Sequence, residues 1–274
     1  MDLYSAYSTL ILYNKIMQKA LLRMNQFLRL IDFKFHFETR SLANFITDKQ
    51  ARFILSKKSY VGDGVITQQL DPTTDLKMLK SFNDSFHLVP SKYASLRKLH
   101  FRFTLLIWAM RYTKNLEGGI VECGVWYGVL SKALMNYFRN QDLRKFYLFD
   151  SWGYADFRLE GFYKKENYLE DIFAIVKLRF LNENVELIRG TLPQSFVNNL
   201  PESIGLLMID LNSGIVEYKV LEICWPKIPV GGVVYLDDYN LSFPEVMKSV
   251  DKFVHENNQA LLVYPTGQAI LIKQ

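Results

Sequence analysis

The chain has 274 residues, of which 49% are hydrophobic and 22% charged, a globular composition that excludes a disordered or fibrous protein. Its formal net charge of +5 is uneven: residues 1–60 hold ten Lys/Arg against four Asp/Glu, which leaves the other 214 residues at −1. The larger part is therefore near neutral, so no nucleic-acid partner is expected, and at this length one main domain with an appended segment is expected.

The opening MDLYSAYSTLILYNKIM begins with an acid and breaks its apolar run at Asn14 and Lys15, unlike a secretion signal. No run approaches the roughly 18 apolar residues of a membrane span. Leu10, Tyr13, Met17, Ala20, Met24, Phe27 and Ile31 recur at spacings of three and four, which puts them on one helix face that needs cover. Packing on the main domain or a homodimer seam would supply it; an anionic membrane surface or an acidic ligand is the alternative suited to the basic charge. Residues 59–95 are polar and turn-rich, with Gly62, Gly64, Pro72 and Pro90, and read as a linker into a helix near Tyr93–Thr113. We therefore divide the chain into an N-terminal helical extension with linker, 1–95, and a main domain, 96–274.

From Gly118 onward short β-rich runs alternate with helical patterns: Ile120–Cys123, Phe146–Phe149, Val185–Ile188, Ile204–Ile209 and Val233–Leu236. This predicts an α/β fold with a doubly wound, mostly parallel sheet. Ala260–Tyr264 and Ala269–Ile272 are separated by four residues, enough for an antiparallel hairpin and too few for a crossover. Seven strands are expected, the last one antiparallel. Cys123 and Cys224, the only cysteines, lie in apolar runs and read as buried hydrophobes in a reducing, cytoplasmic setting.

Ligands of such sheets bind beyond the carboxyl ends of the strands. The first run ends in Glu122-Cys123-Gly124-Val125-Trp126-Tyr127-Gly128; the glycines permit close backbone approach and the following helix start favours an anionic group, while Glu122 suits a cationic amine. The second ends in Asp150-Ser151-Trp152, an acid placed to accept from ribose hydroxyls. Together they suggest an adenosine-containing ligand, with Gly190 of the third strand end at its border. The cofactor-binding candidates are thus Glu122, Gly124, Tyr127, Gly128, Asp150, Ser151, Trp152, Gly190 and Asp210. The fourth run ends in Asp210-Leu211-Asn212 and the fifth in Asp237-Asp238-Tyr239. Three carboxylates converging from neighbouring strands need a cation, and an all-oxygen set favours Mg²⁺ or Mn²⁺, so Asp210, Asp237 and Asp238 are the metal candidates.

The stretches IVECGVWYG, FYLFDSW, RGTLP, LLMIDLN and VLEICWPKIPVGGVVYLDDYN, in this order, resemble the macrocin type of sugar O-methyltransferase, which acts on macrolide and aminocoumarin antibiotics. The resemblance runs from about Gly118 to the C-terminus. It implies a class I methyltransferase fold, S-adenosylmethionine as donor, Mg²⁺ on the acids matching Asp210, Asp237 and Asp238, and a sugar hydroxyl on a small molecule or glycan as acceptor. It also implies that the loop Gly153–Tyr168, with Tyr154, Phe157, Phe162 and Tyr163, helps enclose the acceptor.

One departure stands out. The family pattern after the fourth strand is Asp-x-Asp, its second acid the general base, followed by a Tyr. Here Asn212 holds the base position and Gly214 the aromatic one. An amide cannot take up the hydroxyl proton. The expected catalytic residues are therefore Asp210 and Asn212, with metal activation supplying what Asn212 lacks. A nucleotide-sugar or NAD-dependent Rossmann enzyme and a non-catalytic binding protein of the same fold are the rival readings.

Overall fold

A computed structural model describes residues 60–62, 65–67, 75–153 and 171–274. The apolar stripe from Leu10 to Ile31 and the aromatic loop bearing Tyr154, Phe157, Phe162 and Tyr163 lie outside the described residues. The chain divides into two compact units, Met1–Gln69 and Leu70–Gln274. In the first, β1 (Tyr60–Gly62) and β2 (Val65–Thr67) pair as an antiparallel hairpin.

The second unit contains α1 (Leu76–Asp84), α2 (His100–Tyr112), β3 (Gly119–Cys123), α3 (Val129–Phe138), β4 (Phe146–Asp150), α4 (Phe173–Arg179) and β5 (Val185–Arg189). It continues with β6 (Ile204–Ile209), α5 (Gly214–Cys224), β7 (Val233–Leu236), α6 (Pro244–Glu256), β8 (Leu261–Val263) and β9 (Ala269–Ile272). Its seven strands are ordered β5-β4-β3-β6-β7-β9-β8. The first five are parallel, and β9 runs antiparallel to both its neighbours. This is the sheet expected from the run lengths, including the antiparallel last strand.

The strands read as unbroken apolar runs because both faces of the sheet are covered. All six residues of β6 are buried, and so are all four of β7. One core packs Ile120, Leu148, Leu206, Met208 and Tyr235 under α1, α2 and α3; the other packs Val121, Phe149, Leu207, Ile209 and Leu236 under α5 and α6. Successive strand residues thus alternate between the two cores. The helix expected near Tyr93–Thr113 is divided: a 3₁₀ segment covers Ser91–Lys98, Leu99 leaves helical geometry with ψ 26°, and α2 begins at His100. Among the described residues no helix is long and apolar enough to cross a membrane.

Beyond the strand ends the hydrogen-bond ladder continues for one more rung. The amide of Gly190 donates to the Asp150 carbonyl, Gly124 to Phe149, Asp210 to Cys123 and Asp237 to Ile209, all at 2.9–3.0 Å. The polar residues at four strand ends are thereby fixed in one row. The rung between β3 and β6 depends on glycine: Gly124 has φ +87°, and a Cβ there would lie 1.8 Å from the Asp210 carbonyl oxygen. We expect Gly124→Ala to lower unfolding stability by about 3 kcal/mol or more, since backbone strain and a main-chain clash add. Urea denaturation checks this, and a loss under about 1 kcal/mol would show that the rung is dispensable.

Candidate functional site

The first two strand ends are clasped together by Asp150. Its Oδ2 accepts from the amides of Val125 (2.8 Å) and Trp126 (2.7 Å), and its Oδ1 from the amide of Trp152 (2.8 Å). Burial raises its pKa, with these amides working in the opposite direction. A carboxylate has about four lone-pair positions, and the Ser151 hydroxyl, 3.5 Å from Oδ1, is a fourth and weaker donor to it. The clasp extends through Trp152, whose Nε1 donates to the Trp126 carbonyl (2.8 Å) and whose ring stacks on Phe173. Trp126 and Trp152 both adopt left-handed backbone geometry, with φ 49° and 45°, a conformation that bulky residues hold only where surroundings enforce it.

The remaining cofactor candidates line the same edge. Tyr127 is buried and packs edge-on against Trp126. Ser151 donates weakly to the Gly153 carbonyl (3.3 Å), and Gly190 is tied to Asp150 through the ladder. Glu122 is 2% exposed and accepts from Ser131 on α3. Burial first, then the charges of Asp210, Asp150 and Asp237, push its pKa up to about 8.

Asp210, Asp237 and Asp238 converge as their strand order requires. Each offers one carboxylate oxygen, and those atoms lie within 4.8 Å of one another. Asp237 and Asp238 are buried and Asp210 half-buried. Burial and the mutual repulsion of the acids hold the carboxyls of Asp210 and Asp238 well above the usual range. Neither acid of the DDY turn caps the next helix, which starts only at Pro244. Oδ2 of Asp238 is buried without a hydrogen-bond partner. An orphaned carboxylate oxygen beside two other carboxylates fits a divalent cation, which would satisfy it and offset the repulsion.

Three residues of this centre were not among the sequence candidates. Arg102 of α2 pairs with Oδ2 of Asp237, and Tyr235 donates to Oδ1 of the same acid. Tyr235 was findable, because it stands two residues before Asp237 on one strand and so shares its face. Arg102 left no signal, since its partner lies 135 residues away. The third is Glu217 on the first turns of α5, 1% exposed. Burial and the charge of Asp210 raise its pKa to about 8, and the amides of Leu211, Ser213 and Asn212 offset this in part. Neither Glu217 oxygen completes a hydrogen bond.

Asn212 sits beside the acids, its Nδ2 3.5 Å from Oδ1 of Asp210, with a left-handed φ of 53°. Gly214 has a packing reason. A Cβ there would lie 2.2 Å from the Glu245 carbonyl oxygen, so α5 approaches α6 too closely for any side chain.

Residues 121–239 match the model of a methyltransferase domain family. The demethyldecarbamoylnovobiocin O-methyltransferase of Streptomyces niveus is 28% identical over 156 residues, covering 51% of this chain and 59% of that protein. The chain thus matches less than two thirds of that relative's length. Among solved structures, the O-methyltransferase NovP is similar at 20% identity and TM-score 0.52, over 65% of this chain and 81% of that one. CalS11, a calicheamicin methyltransferase, is similar at 17% identity and TM-score 0.51, over 74% and 94%. At such identities the structural likeness establishes the class I methyltransferase fold.

The buried acids set a pH dependence. Glu122 and Glu217 have folded pKa values near 8 against an ordinary 4.5. The native state therefore keeps protons that the unfolded chain releases, and stability falls as pH rises from about 4.5 through 8. Glu217→Gln should match the wild type at pH 5 and exceed it at pH 8 by on the order of 1–2 kcal/mol. Thermal melts of the ligand-free protein across this range test it, and an unchanged slope in the variant would contradict the assignment.

Proposed function

We propose that this chain, which carries a methyltransferase domain in a class I fold, transfers a methyl group from S-adenosylmethionine to a hydroxyl of a sugar or glycosylated small molecule. Asp210, Asp237 and Asp238 would hold Mg²⁺ or Mn²⁺ at the acceptor. The observation that carries this reading is the trio of carboxylates at two adjacent strand ends, with an orphaned buried oxygen, next to a glycine turn clasped by an acid. The names of the relatives, a demethyldecarbamoylnovobiocin O-methyltransferase and a calicheamicin methyltransferase, support a small-molecule acceptor.

In this reading the donor lies along the turn from Gly124 to Gly128 at the strand ends, and Asp150, whose contact with the Ser151 hydroxyl is its longest at 3.5 Å, serves the ribose, beside Trp152 and Gly190. Held by Asp210, Asp237 and Asp238, a divalent ion would supply a Lewis acid that lowers the pKa of a hydroxyl. Arg102 and Tyr235 keep Asp237 oriented by occupying both of its oxygens. The acceptor oxygen bonds the methyl carbon as the carbon–sulfur bond breaks, and the hydroxyl proton leaves to a carboxylate. Asn212 cannot take it, and we assign that role to Asp210, whose Oδ1 lies 3.5 Å from the Asn212 amide. Holding both substrates in line contributes much of the rate. The free, buried Cys123 and Cys224 support a cytoplasmic setting, and the N-terminal apolar stripe supports a homodimer.

A second reading is favoured by Asn212 and by the Arg102–Asp237 pair, in which an arginine already offsets part of the charge. There the fold would bind the donor without turning it over.

Turnover of S-adenosylmethionine with a panel of glycosides and nucleotide sugars separates the two. We expect Mg²⁺-dependent transfer that a chelator abolishes while donor affinity, read by calorimetry, is retained. Asp210→Asn and Asp237→Asn should each lower kcat at least 10²-fold, and Asn212→Asp should raise it, a general base being worth about 10²–10⁴-fold. Full turnover in excess chelator would sink the metal; donor binding with no turnover on any acceptor would favour the second reading.

A further inference from the structure

Arg102 and Asp237 come from elements of different mobility. The Asp237 side chain is 4% exposed at the end of β7, and its amide is held by the Ile209 carbonyl. Arg102 stands in the first turn of α2, just after the break at Leu99, and its side chain is 21% exposed. A helix macrodipole disfavours a cation in the first turn, and α2 carries no acid there to offset it. The acids therefore explain its position. The guanidinium donates to Oδ2 of Asp237, and its charge also favours the ionised forms of Asp210 and Asp238. Arg102 is thus a cation that the trio already holds.

A divalent ion on the trio would share the same oxygens. Two cations within about 5 Å of each other repel strongly in a low-dielectric site, and the energy doubles when one of them carries two charges. The acids cannot relieve this by moving apart, since the strand ladder pins Asp210 and Asp237. Arg102 can relieve it, because it belongs to no strand and part of its side chain already reaches solvent. Tyr235, which donates to Oδ1 from two residues away on β7, keeps Asp237 aimed when Arg102 leaves Oδ2.

We propose that Arg102 is a resident counter-ion that gates the acid trio: it holds Oδ2 of Asp237 in the ion-free centre, gives that oxygen up as a divalent cation binds, and so lowers the affinity for the ion. A centre gated in this way holds its ion exchangeably. The inference rests on the trio being a cation site, and the experiment separates the two.

The full chain is titrated with Mn²⁺ by calorimetry at pH 8, where fewer protons compete for the acids, as wild type, Arg102→Gln and Arg102→Lys. Arg102→Gln keeps a donor for Asp237 and removes the charge, and should bind the ion about tenfold tighter or more. Arg102→Lys keeps the charge and should stay within about threefold of the wild type. Saturable binding by Arg102→Gln alone would support the gate in its strongest form. Wild-type binding that Arg102→Gln leaves unchanged or weakens, or a gain of equal size in Arg102→Lys, would overturn the gate and leave the cation site standing. No saturable binding by any of the three would remove both. Should Arg102→Gln not fold, the wild type decides by nuclear magnetic resonance with isotope-labelled arginine. The guanidinium signals that Arg102→Lys lacks should exchange with water faster on adding Mg²⁺, and unchanged exchange would overturn the gate.

Discussion

Three carboxylates, Asp210, Asp237 and Asp238, are held close together on strand ends they cannot leave, and the chemistry of the molecule follows from that repulsion. Asp210 and Asp237 are each pinned by a backbone hydrogen bond to the neighbouring strand. The repulsion therefore cannot relax by moving the backbone and must be met by protonation or by positive charge. Arg102 provides one positive charge, which is paired with Asp237 and at longer range also favours the ionised forms of Asp210 and Asp238. Asp238 keeps an orphaned oxygen, and both Asp210 and Asp238 hold protons more tightly than isolated carboxyls. Protonation thus meets part of the repulsion, and a divalent cation would have to displace those protons to bind.

The same edge shows how a parallel sheet converts sequence into a site. Strand pairing brings residues 122–128, 150–152, 190, 210–212 and 237–238 into one row, although up to 116 positions separate Glu122 from Asp238 in the chain. Close packing then selects the residues that can stand there. Gly124 is needed because the Asp210 carbonyl crosses where a Cβ would be, and Gly214 because α5 meets the first turn of α6. Gly214 is thus explained by helix packing, and its presence says nothing against catalysis.

Much of this was legible in the sequence for a physical reason. Strands buried on both faces are continuous apolar runs, and a strand end in a parallel sheet is a ligand position. The order of the runs was therefore enough to place the three acids together, and the four-residue connection between the last two runs to expect the antiparallel last strand. What was not legible depends on side chains arriving from other elements. Arg102 reaches the site from α2, and Glu217 turns a helical position inward, with no local pattern to announce either. Asp150 was read as a ribose ligand; the structure adds a second task, since three backbone amides already converge on it. The divided helix before His100 escaped because a 3₁₀ turn and an α-helix carry similar apolar spacing.

The central claim is that the acid trio is a divalent cation site. Its most direct test is titration of the full chain with Mn²⁺, followed by electron paramagnetic resonance and calorimetry, with Asp238→Asn alongside. The account predicts one ion per chain, weakened at least tenfold in the variant, which should itself fold and be at least as stable as the wild type without metal because it replaces an acid whose ionised form burial and its neighbours disfavour. Absence of saturable binding, or equal affinity in wild type and variant, would contradict it.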